Sequence, residues 1–124
     1  MGTDAFQPVQ GMSDFEAPEV CLWRALEASA REVFERYGYE ELRTPVVEPL
    51  GIYLHSLGET SDVVTKEMYN FEDRGGRELA IRPEITPTLA RIVNQQINAL
   101  PRPVKWFSVP RLCRAEKPQK QHRH

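Results

Sequence analysis

The segment spanning residues 67–82 constrains the fold most, because it predicts two strands joined by a tight turn. Residues 67–71 and 78–82 have the composition of strands, and Gly75 and Gly76 lie between them. Glycine permits the backbone conformations that short hairpin turns require. A hairpin makes its two strands antiparallel, and hairpins dominate over strand–helix–strand crossovers in the predicted order of elements. The sequence therefore predicts an α+β fold, with a mostly antiparallel sheet flanked by helices.

Apolar residues at helical spacing predict two longer helices. The first opens at Pro18 and ends before Gly38, and in the second Thr86 is the predicted cap with Pro87 at the first helical position. A third, short helix is predicted over 49–57. We expect the apolar stripe of the first helix to contribute partly to the core and partly to an interface with a second copy. This stripe consists of Val20, Trp23, Leu26, Ala30, Val33, Phe34 and Tyr37.

Shorter segments complete the predicted topology. Residues 42–47 predict a strand whose Pro45 cannot donate to a ladder, which favours a sheet edge. Two further strands are predicted, over 104–109 and 111–116. Irregular structure is expected for the arm at 1–17 and for the polar segment at 58–65.

Composition is that of an ordinary soluble globular chain: 124 residues, 40% hydrophobic and 27% charged. No apolar run approaches the length of a membrane span, and the N-terminus lacks the order of a signal peptide. We therefore expect a cytoplasmic protein, with Cys21 and Cys113 as reduced thiols. The three histidines, His55, His122 and His124, fit no zinc-binding spacing, so no metal site is predicted.

Charge is unevenly distributed along the chain. The net charge is −2, but residues 102–124 contain seven Lys or Arg residues and a single acid, Glu116. This basic segment suits phosphate binding, of a nucleotide or of a nucleic acid. A solvated basic tail is the alternative interpretation, and charge alone does not choose between the two.

Four segments occur in one order along the chain: residues 2–8 (GTDAFQP), 33–45 (VFERYGYEELRTP), 62–86, and 114–120 (RAEKPQK). Together they resemble the histidyl-tRNA synthetases, a class II aminoacyl-tRNA synthetase family. Segment 33–45 is similar to motif 1, and 111–120 is similar to the first half of motif 2. The resemblance implies that residues 1–124 form part of a class II catalytic domain.

The resemblance implies an enzyme, a ligase that activates histidine with ATP and Mg²⁺, releasing pyrophosphate, and then transfers the histidyl group to its tRNA. Arg114 matches the motif 2 arginine that bridges the amino-acid carboxylate and the α-phosphate, a role suited to its planar fork. Glu116 matches a second ATP contact, at the adenine amino group. Glu84 and Thr86 match the residues that hold the α-amino group of histidine. Pro45 matches a residue of the homodimer interface.

The chain departs from the family pattern at two places. Ile85 stands where many members have glycine, which adds bulk beside the predicted histidine pocket. After Lys120 the expected glycine is absent, as are the second half of motif 2, motif 3 and an anticodon-binding domain. We therefore expect the isolated chain to be weak or inactive as a ligase. Two alternatives stay open: a regulatory subunit of the ATP phosphoribosyltransferase of histidine biosynthesis, and a non-catalytic domain that dimerises.

Overall fold

The computed structural model describes residues 5–115, which divide into two compact units at Glu40. The predicted α+β class with a small antiparallel sheet is confirmed. In chain order the elements are α1 (Ala17–Arg36), β1 (Glu40–Glu41), β2 (Val47–Pro49), α2 (Leu50–Leu57), a π-helical turn (Val63–Glu67), β3 (Asn70–Glu72), β4 (Glu78–Ile81), α3 (Thr86–Gln96) and β5 (Trp106–Phe107).

The first unit consists of an irregular arm followed by α1, as the sequence predicts. Proline occupies the first turn of the helix, where its missing N–H costs nothing. Gly38 follows the C-terminal end of the helix with a φ of +80°, a conformation that glycine adopts easily. Within this unit the ring of Phe15 packs edge-on against Trp23, with ring centroids 6.4 Å apart.

The apolar stripe of α1 is exposed. No residue of the helix is buried, and Leu26 and Trp23 of the stripe are 62% and 49% exposed. The expectation that part of this stripe contributes to the core is therefore wrong for the described chain. The helix presents the stripe as surface.

The second unit is organised around a three-stranded antiparallel sheet with the order β2-β4-β3. Phe71 of β3 pairs with Leu79 of β4, and Glu48 of β2 pairs with Ala80 on the other side. The predicted hairpin is confirmed, because Asp73 and the two glycines form the turn between β3 and β4. β4 is the central strand, and its Ala80 is fully buried.

Helices α2 and α3 pack together, and α2 also packs against the sheet. The core of this unit is small: Tyr53 and Ala80 are completely buried, and Phe107 is 5% exposed. The position of the α3 cap differs from the prediction, since Ile85 is the N-cap and Thr86 is the first helical residue. Pro87 occupies the first turn as expected and is buried.

The predicted strand over 42–47 is replaced by two shorter strands, β1 and β2. The carbonyl groups of Thr44 and Pro45 accept hydrogen bonds from the side chain of Arg82. They are therefore used by a side chain rather than by a neighbouring strand. The Leu42 amide, by contrast, donates to the Phe107 carbonyl of β5 at 2.9 Å.

Two further predictions were wrong in detail. Residues 111–115 form no regular strand, because the amides of Cys113 and Ala115 donate to separate segments, at the carbonyls of Arg82 and Glu67. The expected loop at 58–65 runs into the π-helical turn. Ser61 begins this turn, since its hydroxyl accepts from the Val64 amide and its carbonyl accepts from the Thr65 amide.

Candidate active site

Arg82 is a buried arginine that joins three chain segments. Its side chain donates from Nε to the Arg111 carbonyl at 2.8 Å. From Nη1 it donates to the carbonyl and the hydroxyl of Thr44, both at 3.1 Å, and to the Pro45 carbonyl at 3.3 Å. The residue is only 6% exposed. These bonds distribute its charge over four neutral oxygens, which satisfies a buried guanidinium that would otherwise be costly.

Arg114 lies against the segment that follows Arg82. The Cys113 amide donates to the Arg82 carbonyl at 3.1 Å, which brings the next residue alongside Pro83 and Glu84. Arg114 donates from Nε to the Pro83 carbonyl at 2.9 Å, and its Nη2 lies 3.5 Å from Oε2 of Glu84. Residues 82–84 and 111–114 therefore run side by side.

The Arg114–Glu84 pair places opposite charges next to each other at a partly open surface. The side chains are 33% and 29% exposed, so a ligand can reach both. Their 3.5 Å separation is at the long limit of a hydrogen bond, and a partly solvated pair of this kind contributes little stability. This arrangement is chemically suited to a small zwitterion, whose carboxylate would pair with Arg114 and whose ammonium would pair with Glu84.

The other predicted site residues lie nearby or outside the described region. Thr86 is exposed at the first residue of α3, two positions after Glu84. Ile85, the N-cap of that helix, is partly buried. Pro45 is exposed, while its carbonyl is bound by Arg82. Glu116 lies outside the described residues. The roles assigned to these residues stay predictions.

Sequence reasoning missed Arg82 as a structural centre. In the sequence it is one residue of the segment 62–86, with no predicted task of its own. A signal was available, because an arginine at the end of a predicted strand, directly before a proline, predicts a charged group close to the sheet. Its hydrogen-bond acceptors are mostly main-chain oxygens, which no sequence pattern reveals.

A second buried polar group lies between the sheet and the two helices of this unit. Glu48 is 3% exposed and accepts a hydrogen bond from Nη2 of Arg91 at 2.8 Å. Tyr53 and Thr88 are fully buried, and their hydroxyls have no hydrogen-bond partner of good geometry within residues 5–115. Burial raises the pKa of Tyr53, against a smaller opposing effect of the nearby Thr88 hydroxyl.

Two classes of feature are absent from the described part of the chain. No helix there is both long and apolar enough to cross a membrane. No three His, Cys, Asp or Glu side chains converge there in a group that could hold a metal ion.

The family model for histidyl-tRNA synthetase matches residues 11–124. A histidine–tRNA ligase of Leptospira biflexa is 46% identical over 109 residues, which is 88% of this chain and 24% of the relative. A histidine–tRNA ligase of Anaeromyxobacter dehalogenans is 45% identical over 112 residues, which is 90% of this chain and 27% of the relative. The chain thus spans about a quarter of the length of these curated relatives.

Solved structures agree with the sequence match. A histidine–tRNA ligase subunit of Alicyclobacillus acidocaldarius superposes with a TM-score of 0.75 at 27% identity, covering 92% of this chain and 32% of that one. With such a likeness over nearly its whole length, and with the family match from residue 11 onwards, this chain belongs to the histidyl-tRNA synthetase family.

Proposed function

We propose that this chain forms the N-terminal part of a catalytic domain that activates histidine with ATP and transfers it to tRNA. The observation that carries the proposal is the Arg114–Glu84 pair, with its 3.5 Å separation and its partly exposed side chains. Family membership supports the reaction class. The pair supplies complementary charges for both ends of an amino acid.

In the activation of histidine, each predicted substrate-binding residue would bind a chemical group of histidine or ATP. Arg114 would hold the carboxylate of histidine against the α-phosphate of ATP, which neutralises two anionic groups that otherwise repel. Glu84 would take the ammonium group, with Thr86 adding a hydroxyl at the start of α3. Glu116 would accept from the adenine amino group. Mg²⁺ would arrive with the ATP phosphates, since this ion is usually held by phosphate oxygens and water with few protein ligands.

A homodimer completes the proposal. The stripe of α1 is apolar and exposed: Trp23, Leu26 and Val33 are 49%, 62% and 51% exposed. Contiguous apolar surface of this kind usually marks an interaction site. We infer that α1 and the segment around Pro45 contact a second copy.

A chimaeric enzyme tests the activity. In it, this chain replaces the matching quarter of the L. biflexa ligase, and histidine-dependent exchange of pyrophosphate into ATP is measured. We expect exchange in the chimaera, and a loss of about 100- to 1,000-fold in Arg114→Ala, because a charge-stabilising donor is removed. Arg111→Ala is the matched control, since Arg111 contacts Arg82 through its main-chain carbonyl. Equal exchange in the two variants would refute the role of Arg114.

A regulatory role is the second candidate, on the basis of one structural likeness. A Bacillus halodurans protein described as an ATP phosphoribosyltransferase regulatory subunit/histidyl-tRNA synthetase superposes with a TM-score of 0.74 over 90% of this chain and 28% of that one. At 22% identity this likeness shows the fold alone. A chimaera that folds but performs no exchange would favour this role.

A further inference from the structure

We infer that Arg82 is a positioning residue, which sets the orientation of Arg114 by joining its segment to the chain at Thr44 and Pro45. The inference rests on the proposed function for its catalytic meaning. The geometry itself involves only described residues of the second unit.

The Arg82 side chain reaches two separate segments. Its Nε donates to the carbonyl of Arg111, which lies three residues before Arg114. Its Nη1 donates to the carbonyls of Thr44 and Pro45. A single rigid, planar group therefore fixes the distance between these two segments, which the flexible ammonium of a lysine would not do.

The main chain of Arg82 also bonds to both neighbouring segments. The Arg82 amide donates to the Val46 carbonyl at 3.0 Å, and the Arg82 carbonyl accepts from Cys113 at 3.1 Å. The side chain and the main chain of Arg82 therefore both connect residues 44–46 to residues 111–113. The Arg111–Cys113 backbone is bound to Arg82 at two points before the chain reaches Arg114.

The contacts of Arg82 affect the orientation of Arg114. Residues 111–115 form no regular strand, so the orientation of Arg114 depends on individual contacts rather than on a ladder. Its hydrogen bond to the Pro83 carbonyl comes directly after the contact of Cys113 with Arg82, so we expect the bond to depend on that contact. A displacement of about 1 Å at a reacting group can cost about 100-fold in rate. Weakening the side-chain hydrogen bonds of Arg82 should therefore move Arg114 away from Glu84 while both charges remain.

The test uses the 124-residue chain and NMR signals of its arginine Nε–H groups. Arg82→Lys keeps the positive charge but removes the fork. We expect the Nε–H proton of Arg114 to exchange with solvent about fivefold faster or more, because its hydrogen bond to the Pro83 carbonyl is weakened by about the net energy of one hydrogen bond. Arg91→Lys is the matched control: it changes another partly buried arginine, which lies on α3 and is paired with Glu48 of β2, and it should leave the Arg114 signal unchanged.

Thermal unfolding of both variants separates positioning from general stability. The inference is supported if both variants lose the same stability but only Arg82→Lys accelerates the exchange of the Arg114 Nε–H proton. An unchanged Arg114 signal in a folded Arg82→Lys chain would overturn it. If that variant does not fold, Thr44→Val removes one acceptor of Nη1 and leaves the guanidinium in place. It should accelerate the same exchange about twofold, and no acceleration would likewise overturn the inference.

Titration with L-histidine keeps the two proposals distinguishable. If the unmodified chain binds L-histidine, we expect Arg82→Lys to weaken binding and Arg91→Lys to retain it. If neither the unmodified chain nor the variants bind L-histidine, the proposed function of this chain loses support. The Nε–H comparison still decides whether Arg82 positions Arg114.

Discussion

Tyr53 of α2, a helix that packs against α3 and the central strand, is fully buried, and its hydroxyl has no partner of good geometry in the described region. Its ring supplies apolar contact area, while its hydroxyl carries a desolvation cost. The two parts of the side chain therefore act in opposite directions on stability. Substitutions that remove one part at a time can separate them.

Tyr53→Phe removes the hydroxyl and keeps the ring. We expect the free energy of unfolding to stay within about 1 kcal/mol of the unmodified chain, or to rise, because no well-formed hydrogen bond is lost. Tyr53→Ala should lower it by about 3–5 kcal/mol, since a large buried ring leaves a cavity. Urea denaturation of both variants measures the difference. Similar losses in the two would mean that the hydroxyl is well satisfied.

At the scale of elements, the β3–β4 hairpin depends on one carboxylate. Oδ1 of Asp73 accepts from the amides of Gly75 and Arg77, both at 2.9 Å, and Oδ2 accepts from Nε of Arg77 at 2.7 Å. These bonds lower the pKa of Asp73 below its ordinary value of 3.8, chiefly through the Arg77 amide. The turn is thus stabilised by the ionised form of the side chain.

Asp73→Asn should therefore destabilise the hairpin in a pH-dependent way. A lowered folded pKa means that the stabilisation is present above the unfolded pKa and is lost as pH falls through the folded one. We expect a lower Tm than that of the unmodified chain at pH 7, and a difference that shrinks below pH 3.8. Thermal scans over this range test it, with Glu78→Gln as a control for a lost charge. A constant difference at every pH would contradict the explanation.

Elements whose ends are marked by proline or glycine were predictable from the sequence. Segments whose conformation depends on a side chain from a distant part of the chain were not. Pro18 and Gly38 mark the ends of α1 closely, and Gly75 and Gly76 mark the hairpin. The strand expected over 42–47 failed because Arg82, far along the chain, binds its carbonyls. In the site, Glu84 and Arg114 were predicted from a resemblance, and the structure brings them together. The contacts that do so run through the main chain, where residue type leaves little trace.

At the scale of the whole molecule, the chain is a quarter of its curated relatives in length and exposes a long apolar helix face. Surface of this kind is expensive to leave in water, at about 25 cal/mol for each Å². A second copy could cover it by a symmetric contact, in which the same face meets itself.

We expect the chain to form dimers through α1. Sedimentation equilibrium should show a dimer at high micromolar concentration, and Leu26→Glu should shift the species to monomer because a charge enters the apolar stripe. Glu32→Gln is the control, since Glu32 is 71% exposed in a surface pair with Arg36. A well-folded chain that remains monomeric throughout would refute the interface.

The hydrogen bonds of Arg82 also determine which positions tolerate mutation. Three of its four acceptors are main-chain carbonyls, at Thr44, Pro45 and Arg111. Every amino acid offers that same oxygen, so the side chains at these positions can drift without breaking the connection. Only the arginine itself is irreplaceable in this arrangement. A saturation library should accordingly accept many residues at 44, 45 and 111, and few at 82.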